Sequence, residues 1–307
     1  MNAYDFDRLR AELADYLGYG RDVTGDGLAE VGRYVNDGVG RFLLGIDPRT
    51  QRAYAWSFLA PAAELKLWAA VPAGAATVDG VYDDAASTRF TASAAVFCDS
   101  MVGHEVQVDG VGAFTITAVE AADEATVAGN ATCTDADIAI AADGAYTLPE
   151  DFAALLEGLT YGDGEARLLP ASVAEVRRRL GASPTGTPRQ FALMPLVSDA
   201  LGQLRWQVLV APAPGYDRTV HYRYRRNPAD LSAASDRPPC GAEHGPAVLA
   251  CCLAVAEQRR NDGQSYWQQR AEDLLAASID IDARNKPRRL GGSPAAADRR
   301  GTVTYGD

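Results

Sequence analysis

The sequence predicts an α+β protein: a helical bundle with a β-region, an inserted small β-sandwich or barrel, and an extended C-terminal arm. Three observations carry that prediction. Apolar residues recur at helical spacing near both ends, as in Leu28, Val31, Val35, Val39 and Phe42. The middle is built instead from short runs rich in Val, Thr and Ile, separated by turn residues. Beyond Asp282 all periodicity is lost in a stretch of Pro, Gly, Ala and Arg. With 307 residues, 47% of them apolar, the chain is long enough for one large domain or two ordinary ones with a sizeable core.

The elements follow in order. Phe6, Leu9, Leu13 and Tyr16/Leu17 mark a first helix that Gly18 closes. A second begins near Thr24–Asp26, which can cap it, and ends at Gly45 and Pro48. The aromatic density of Tyr54, Trp56 and Phe58 then predicts a strand over 53–59. Residues 62–145 form the all-β insert, with runs at Glu64–Val71, Thr88–Phe97, Glu105–Val108, Ala113–Val119 and Ala125–Ala131. Its clearest hairpin turns around Asp109–Gly112.

Leu148-Pro149-Glu150-Asp151-Phe152 predicts a short helix with Phe152, Leu155 and Leu156 inward and Gly158 at its end. Ser172-Val173-Ala174-Glu175 is a capping box opening a helix that Gly181 stops. Three strands follow at Arg189–Leu196, Leu204–Val210 and Arg218–Arg225. Pro246 starts a long helical region with Val248, Cys252, Val255 and Ala256 on one face, broken or bent at Asp262-Gly263. The expected division is 1–61 and 146–285 as a core, 62–145 as the insert, and 286–307 as a flexible arm.

Net charge is −12, and its placement is uneven. Residues 62–145 hold thirteen acids against two bases, Lys66 and Arg89, whereas 284–300 hold six bases and one acid. An arm that basic can fold onto an acidic neighbour, and Arg288, Arg289, Arg299 and Arg300 are the candidate contacts. No apolar run reaches membrane-spanning length, and the N-terminus is acidic where a secretion signal is basic. A cytoplasmic site of synthesis is therefore expected.

Chemistry is hard to find. Asp22–Gly27 imitates the start of a calcium loop, but Arg33 stands where the twelfth-position Glu is needed. His104, His221 and His244 have no metal-ligand spacing. The five cysteines, Cys98, Cys133, Cys240, Cys251 and Cys252, match no zinc pattern and read as small apolar residues in a reducing compartment. Glu150 and Asp151 diverge by roughly 100° on a helix, so they read as helix-start electrostatics. No nucleophile elbow, phosphate loop, dinucleotide fingerprint or His-Glu-x-x-His motif occurs. The expectation is a structural protein that needs no catalytic residue, cofactor or metal.

One ordered set of segments is more specific. Gly40-Arg41-Phe42-Leu43 precedes Tyr54–Leu59, then come Tyr146–Phe152 and Val208–Pro214 with Tyr222-Arg223-Tyr224, and finally Ala254–Glu257 with Tyr266-Trp267. Over residues 1–60 and 146–282 this order resembles the head-to-tail adaptors of short-tailed double-stranded DNA phages, the group that includes tail tubular protein A. The resemblance implies a virion protein of the neck: a ring, typically dodecameric, that joins the portal to the nozzle or tail tube. Tail fibres are a further expected partner. DNA would pass through the ring unbound, and an acidic chain suits sliding rather than gripping. Three alternatives stand beside it: a receptor- or glycan-binding virion protein using the β-insert, a carboxylate-based hydrolase, and a head-completion protein of a long-tailed phage. Tyr82, Phe90, Phe97 and Phe114 bear on the first, and their strand positions read as core.

Overall fold

The computed structural model describes residues 4–83, 86–162, 167–182, 185–197, 204–260 and 266–286. The chain divides into two compact units, one of residues 1–58 with 230–307 and one of residues 59–229. Among the described residues there are five α-helices: α1 (Phe6–Tyr16), α2 (Asp26–Leu44), α3 (Val173–Ala182), α4 (Gly245–Arg260) and α5 (Tyr266–Asn285). All but α3 belong to the first unit.

In that unit α1 begins where the Asp5 carboxylate accepts from the Arg8 amide at 2.9 Å, and Gly18 follows its end at φ +79°. Its expected stripe is buried through Phe6, Leu9, Leu13 and Leu17, while Tyr16 is exposed. Helix α2 ends as expected on Gly45 in the left-handed conformation. Its start differs from expectation. Gly25 at φ +63° is the cap, and neither Thr24 nor Asp26 caps the helix through a side chain. Helix α4 is buried on nearly every side, through Ala247, Val248, Ala250, Cys251, Cys252, Leu253, Ala254 and Ala256. It has no single apolar face because α1, α2 and α5 all pack against it. The expected break at Asp262-Gly263 lies outside the described residues.

The strand expected over 53–59 is not formed. Ala53 makes one isolated bridge to Ile46, and Ser57–Leu59 is a 3-10 turn. The aromatic rings serve packing instead. Phe42 stacks on Trp56 at 4.8 Å, and Trp56 on Phe58 at 5.1 Å. The Ser57 amide donates to the Asp282 carboxylate at 3.1 Å rather than to a neighbouring strand.

The second unit opens with β1 (Ala62–Leu67) and then a closed six-stranded barrel. Its strands are β2 (Thr77–Asp83), β3 (Ser87–Ala92), β4 (Glu105–Val108), β5 (Gly112–Ala121), β6 (Glu124–Ala128) and β7 (Cys133–Ile140). They close in the order β2-β3-β6-β5-β4-β7, with Val78, Phe90, Val106, Ile116, Val127 and Ile138 inside. Closure leaves no unpaired edge. The expected hairpin is β4–β5, registered by Glu105 opposite Thr115.

The remaining strands are β8 (Ala145–Thr147), β9 (Phe152–Tyr161), β10 (Leu169–Pro170), β11 (Thr185–Gly186), β12 (Gln190–Val197), β13 (Leu204–Ala211), β14 (Ala213–Pro214) and β15 (Arg218–Arg226). They form a sheet ordered β1-β15-β9, a sheet ordered β10-β12-β13-β8, and the short pair β11-β14. The three strands expected between 189 and 225 are therefore present as β12, β13 and β15. Strand β1 pairs with β15 rather than with the barrel.

The helix expected from Leu148 is a strand. Phe152–Tyr161 lies antiparallel to β15 through register shifts, and Leu156 points out at 50% exposure. A run as short as Phe-Ala-Ala-Leu-Leu fits either periodicity. Gly158 costs about 1 kcal/mol inside a helix, and β15 supplies a partner for a strand. Helix α3 keeps half of its capping box. The Ser172 hydroxyl accepts from the Glu175 amide at 3.2 Å, but the Glu175 carboxylate turns to Arg178 and Arg179. The helix runs through Gly181 to Ala182, and Val176 buries against Ala145, Ala192, Leu209 and Ala211.

Candidate functional site

The candidate contacts Arg288, Arg289, Arg299 and Arg300 lie outside the described residues. What is described is the point from which that segment departs. Lys286 donates to the Ala55 carbonyl at 2.6 Å, sits 3.9 Å from the centre of the Tyr54 ring, and lies 3.4 Å from Asp282. Asp282 is almost wholly buried. It also accepts from the Tyr54 hydroxyl at 2.9 Å and from the Ser57 amide and hydroxyl. Burial pushes the Asp282 carboxyl up, but the hydrogen bonds from Ser57 and Tyr54 and the Lys286 charge outweigh it, so its pKa lies below the ordinary value. Burial and the same carboxylate raise the Tyr54 phenol. A single carboxylate thus ties the end of α5 to the 54–57 segment. Sequence periodicity did not find it, because an acid one turn past an apolar stripe looks like a solvated helix end.

The three histidines stay apart. His104 is buried between Trp68 and Tyr146, its Nδ1 3.6 Å from Asp143. His244 is buried against Phe42, Trp56 and Phe58. Burial lowers both pKa values, which keeps both imidazoles neutral at pH 7. His221 lies on β15 beside Glu64 at 3.3 Å. Among the described residues no group of three or more His, Cys, Asp or Glu could hold a metal ion. No described helix is long and apolar enough to cross a membrane. All five cysteines are free thiols, and burial raises Cys251 to about 11 and Cys240 to about 12.

Glu150 and Asp151 do not begin a helix. They sit in the turn before β9, at the mouth of a cleft of about 820 Å³ that Trp206, Arg225 and Arg226 also line. Glu150 pairs with Arg205, and Asp151 accepts from the Tyr224 hydroxyl at 2.9 Å and lies 3.2 Å from Arg226. Each carboxylate is held by its own partner, and the two do not converge on one point.

The barrel carries the acidity. Residues 77–140 contain eleven acids and one base, Arg89, which pairs with Glu124 at 3.3 Å. Of the four aromatics read as core, Phe90 and Phe97 are buried and Phe114 is half-buried, but Tyr82 is 43% exposed. It follows Val81 on β2, and Val81 and the β4–β5 turn residue Val111 are exposed as well.

No curated protein matches the chain. The family model of the SU10 adaptor protein matches residues 107–296, more than half of the sequence. The match runs from within β4 through β5 to β15 and α3, and on through α4 and α5, leaving β1, β2 and β3 outside it. The matched region takes in residues 107–145. The chain belongs to the SU10 adaptor protein family, and with it to the structural head-tail adaptors of phages.

Proposed function

We propose that this protein forms a ring, dodecameric in the reading favoured here, that joins the portal to the tail nozzle or tube and continues the DNA channel. The observation that supports it is the family match across 107–296. It accords with the tail tubular protein A-like order of segments found in the sequence. In this reading the protein is made in the host cytoplasm, ends in the virion neck, and performs no catalysis. DNA passes without specific binding, since an acidic chain supplies few phosphate contacts. Arg288, Arg289, Arg299 and Arg300 leave from the Lys286 anchor and contact a neighbouring copy or the portal. Negative-stain images of the full chain mixed with its portal test the reading. Rings seated on the portal are expected, and a chain that neither forms rings nor attaches would refute it.

One observation favours a second reading for the barrel. Val81, Tyr82 and Val111 expose apolar surface on the barrel, which suits a recognition module for a receptor glycan or a tail fibre. A glycan screen with the full chain checks the glycan form, with a Tyr82→Ala variant expected to lose any signal found.

A further inference from the structure

We propose that neighbouring copies meet head to tail, with an arginine groove beside α3 of one copy taking the carboxylates on the barrel wall of the next. This rests on the ring reading above.

The groove lies between the end of α3 and residues 185–189. It encloses about 410 Å³ and is lined by Arg179, Arg189, Thr185 and Thr187, with Ala182 and Pro212 as apolar walls. Its positive charge is under-compensated. Glu175 is shared between Arg178 and Arg179, at 2.9 and 2.8 Å, so one carboxylate serves two guanidinium groups. Arg189 is exposed and has no carboxylate within ion-pair distance among the described residues. Two guanidinium groups and two hydroxyls around one depression suit planar, bidentate carboxylates.

The barrel wall made by β2, β7 and β4 has the opposite deficit. Asp137 and Asp109 face each other across β7 and the end of β4, where the Asp109 amide donates to the Asp137 carbonyl at 2.9 Å. Asp79 and Asp135 adjoin them, the Asp135 amide donating to the Asp79 carboxylate at 2.7 Å. All four carboxylates are exposed. Like charges at opposed strand positions are destabilising, and the barrel's one cation, Arg89, is on β3, engaged with Glu124 of β6. An external cation relieves that repulsion.

Among the described residues no ion pair joins the groove to the wall within one chain. Every copy carries one groove and one wall, on different elements of the same unit. The contact is therefore heterologous: each copy gives its wall to one neighbour and its groove to the other. Repetition of such a contact closes a ring when the rotation allows. Duplex DNA is the competing anion for the groove. The partner favoured is a second copy, because each chain supplies one carboxylate wall for each groove and the acidic wall repels phosphate.

The test uses the full chain with its portal. One variant reverses the groove (Arg179→Glu with Arg189→Glu), a second reverses the wall (Asp109→Arg with Asp137→Arg), and a third carries all four changes. Circular dichroism confirms that each folds. Each two-residue reversal is expected to lower ring yield by about tenfold or more, and the four-residue swap to restore it. Unchanged ring yield in the reversals, or a folded swap that regains nothing, overturns the contact and leaves the ring reading intact. Absence of rings from the unaltered chain overturns both. A groove variant that keeps its rings but loses retention of duplex DNA assigns the groove to DNA and overturns the contact as well.

Discussion

Gly38 lies at the closest approach of α2 and α4, and Gly38→Ala tests whether that approach governs the first unit. A Cβ built there would stand 2.4 Å from the Cα of Cys252 and 2.7 Å from its amide nitrogen and sulfur. Carbon atoms in contact ordinarily sit about 3.5–4.0 Å apart, so the helices must separate by roughly 1 Å or more. The Cα and the amide nitrogen are backbone and cannot rotate away. Val31, Val35, Val39 and Phe42 are buried on the same helix, and a gap of about 0.5–1 Å forfeits roughly a quarter to a half of each dispersion contact. Overpacking of this kind costs about 1–3 kcal/mol, sometimes more, and backbone opposition places it at the upper end. Alanine regains about 1 kcal/mol in helix preference. The expected net is a loss of about 2 kcal/mol, read as a lower urea midpoint followed by far-ultraviolet dichroism. Gly40 is the control. It lies two residues away, is exposed, and its Cβ meets nothing within 4 Å. Gly40→Ala should therefore stabilise by about 0.5–1 kcal/mol. A Gly38→Ala chain as stable as the parent, or more so, would refute the reasoning.

Three further outcomes follow from the same geometry. Asp282→Asn removes the charge that holds Tyr54, Ser57 and Lys286 and should cost about 1–3 kcal/mol at neutral pH. Because the folded pKa of Asp282 is depressed, its contribution is complete above the ordinary carboxyl pKa and fades as pH falls through the folded value. The stability gap between parent and variant should then narrow in acid, and a gap constant with pH contradicts the assignment. A thiol reagent should leave Cys251 and Cys252 untouched in the native chain and label both after denaturation, since both are fully buried with raised pKa values. Prompt native labelling at either position would show that α4 is not enclosed as described. Removal of 287–307, which keeps the Lys286 anchor, should leave the melting curve unchanged while weakening attachment to the portal. Normal attachment counts against the arm.

What was legible in the sequence was whatever local chemistry dictates. Helices α1, α2 and α3 announced themselves by stripes and by Gly18, Gly45 and Ser172, and β12, β13 and β15 by their Val, Tyr and Trp content. The reading failed where a partner distant in sequence decides. The apolar run of β9 reads equally well as helix until β15 is known to lie beside it. The 54–58 aromatics look like a strand until Phe42 and His244 are seen to receive their rings. Strands β2 and β7 escaped notice because their outward positions carry Asp and their sequences carry Gly or Ala, which lowers local β-preference. Barrel closure compensates by pairing both edges of each strand. The Asp282 anchor was invisible for the same reason, since its donors lie some 225 residues earlier in the chain.

The placement of charge limits how such a ring can be built. Were the barrels of adjacent copies to meet wall to wall, Asp79, Asp109, Asp135 and Asp137 would face their own counterparts, and two-fold symmetric contact would double the repulsion already present within one wall. Lining the DNA passage with the same walls would let DNA slide but would leave those carboxylates without a cation. Both arrangements discard the one feature that the barrel surface has in excess. A head-to-tail arrangement uses it, because it brings every wall against the under-compensated guanidinium groups of Arg179 and Arg189. Exposed pairs of this kind weaken as salt shortens the Debye length to about 3 Å at 1 M. Rings held by this contact should therefore loosen in concentrated salt, whereas rings held by apolar burial alone should tighten.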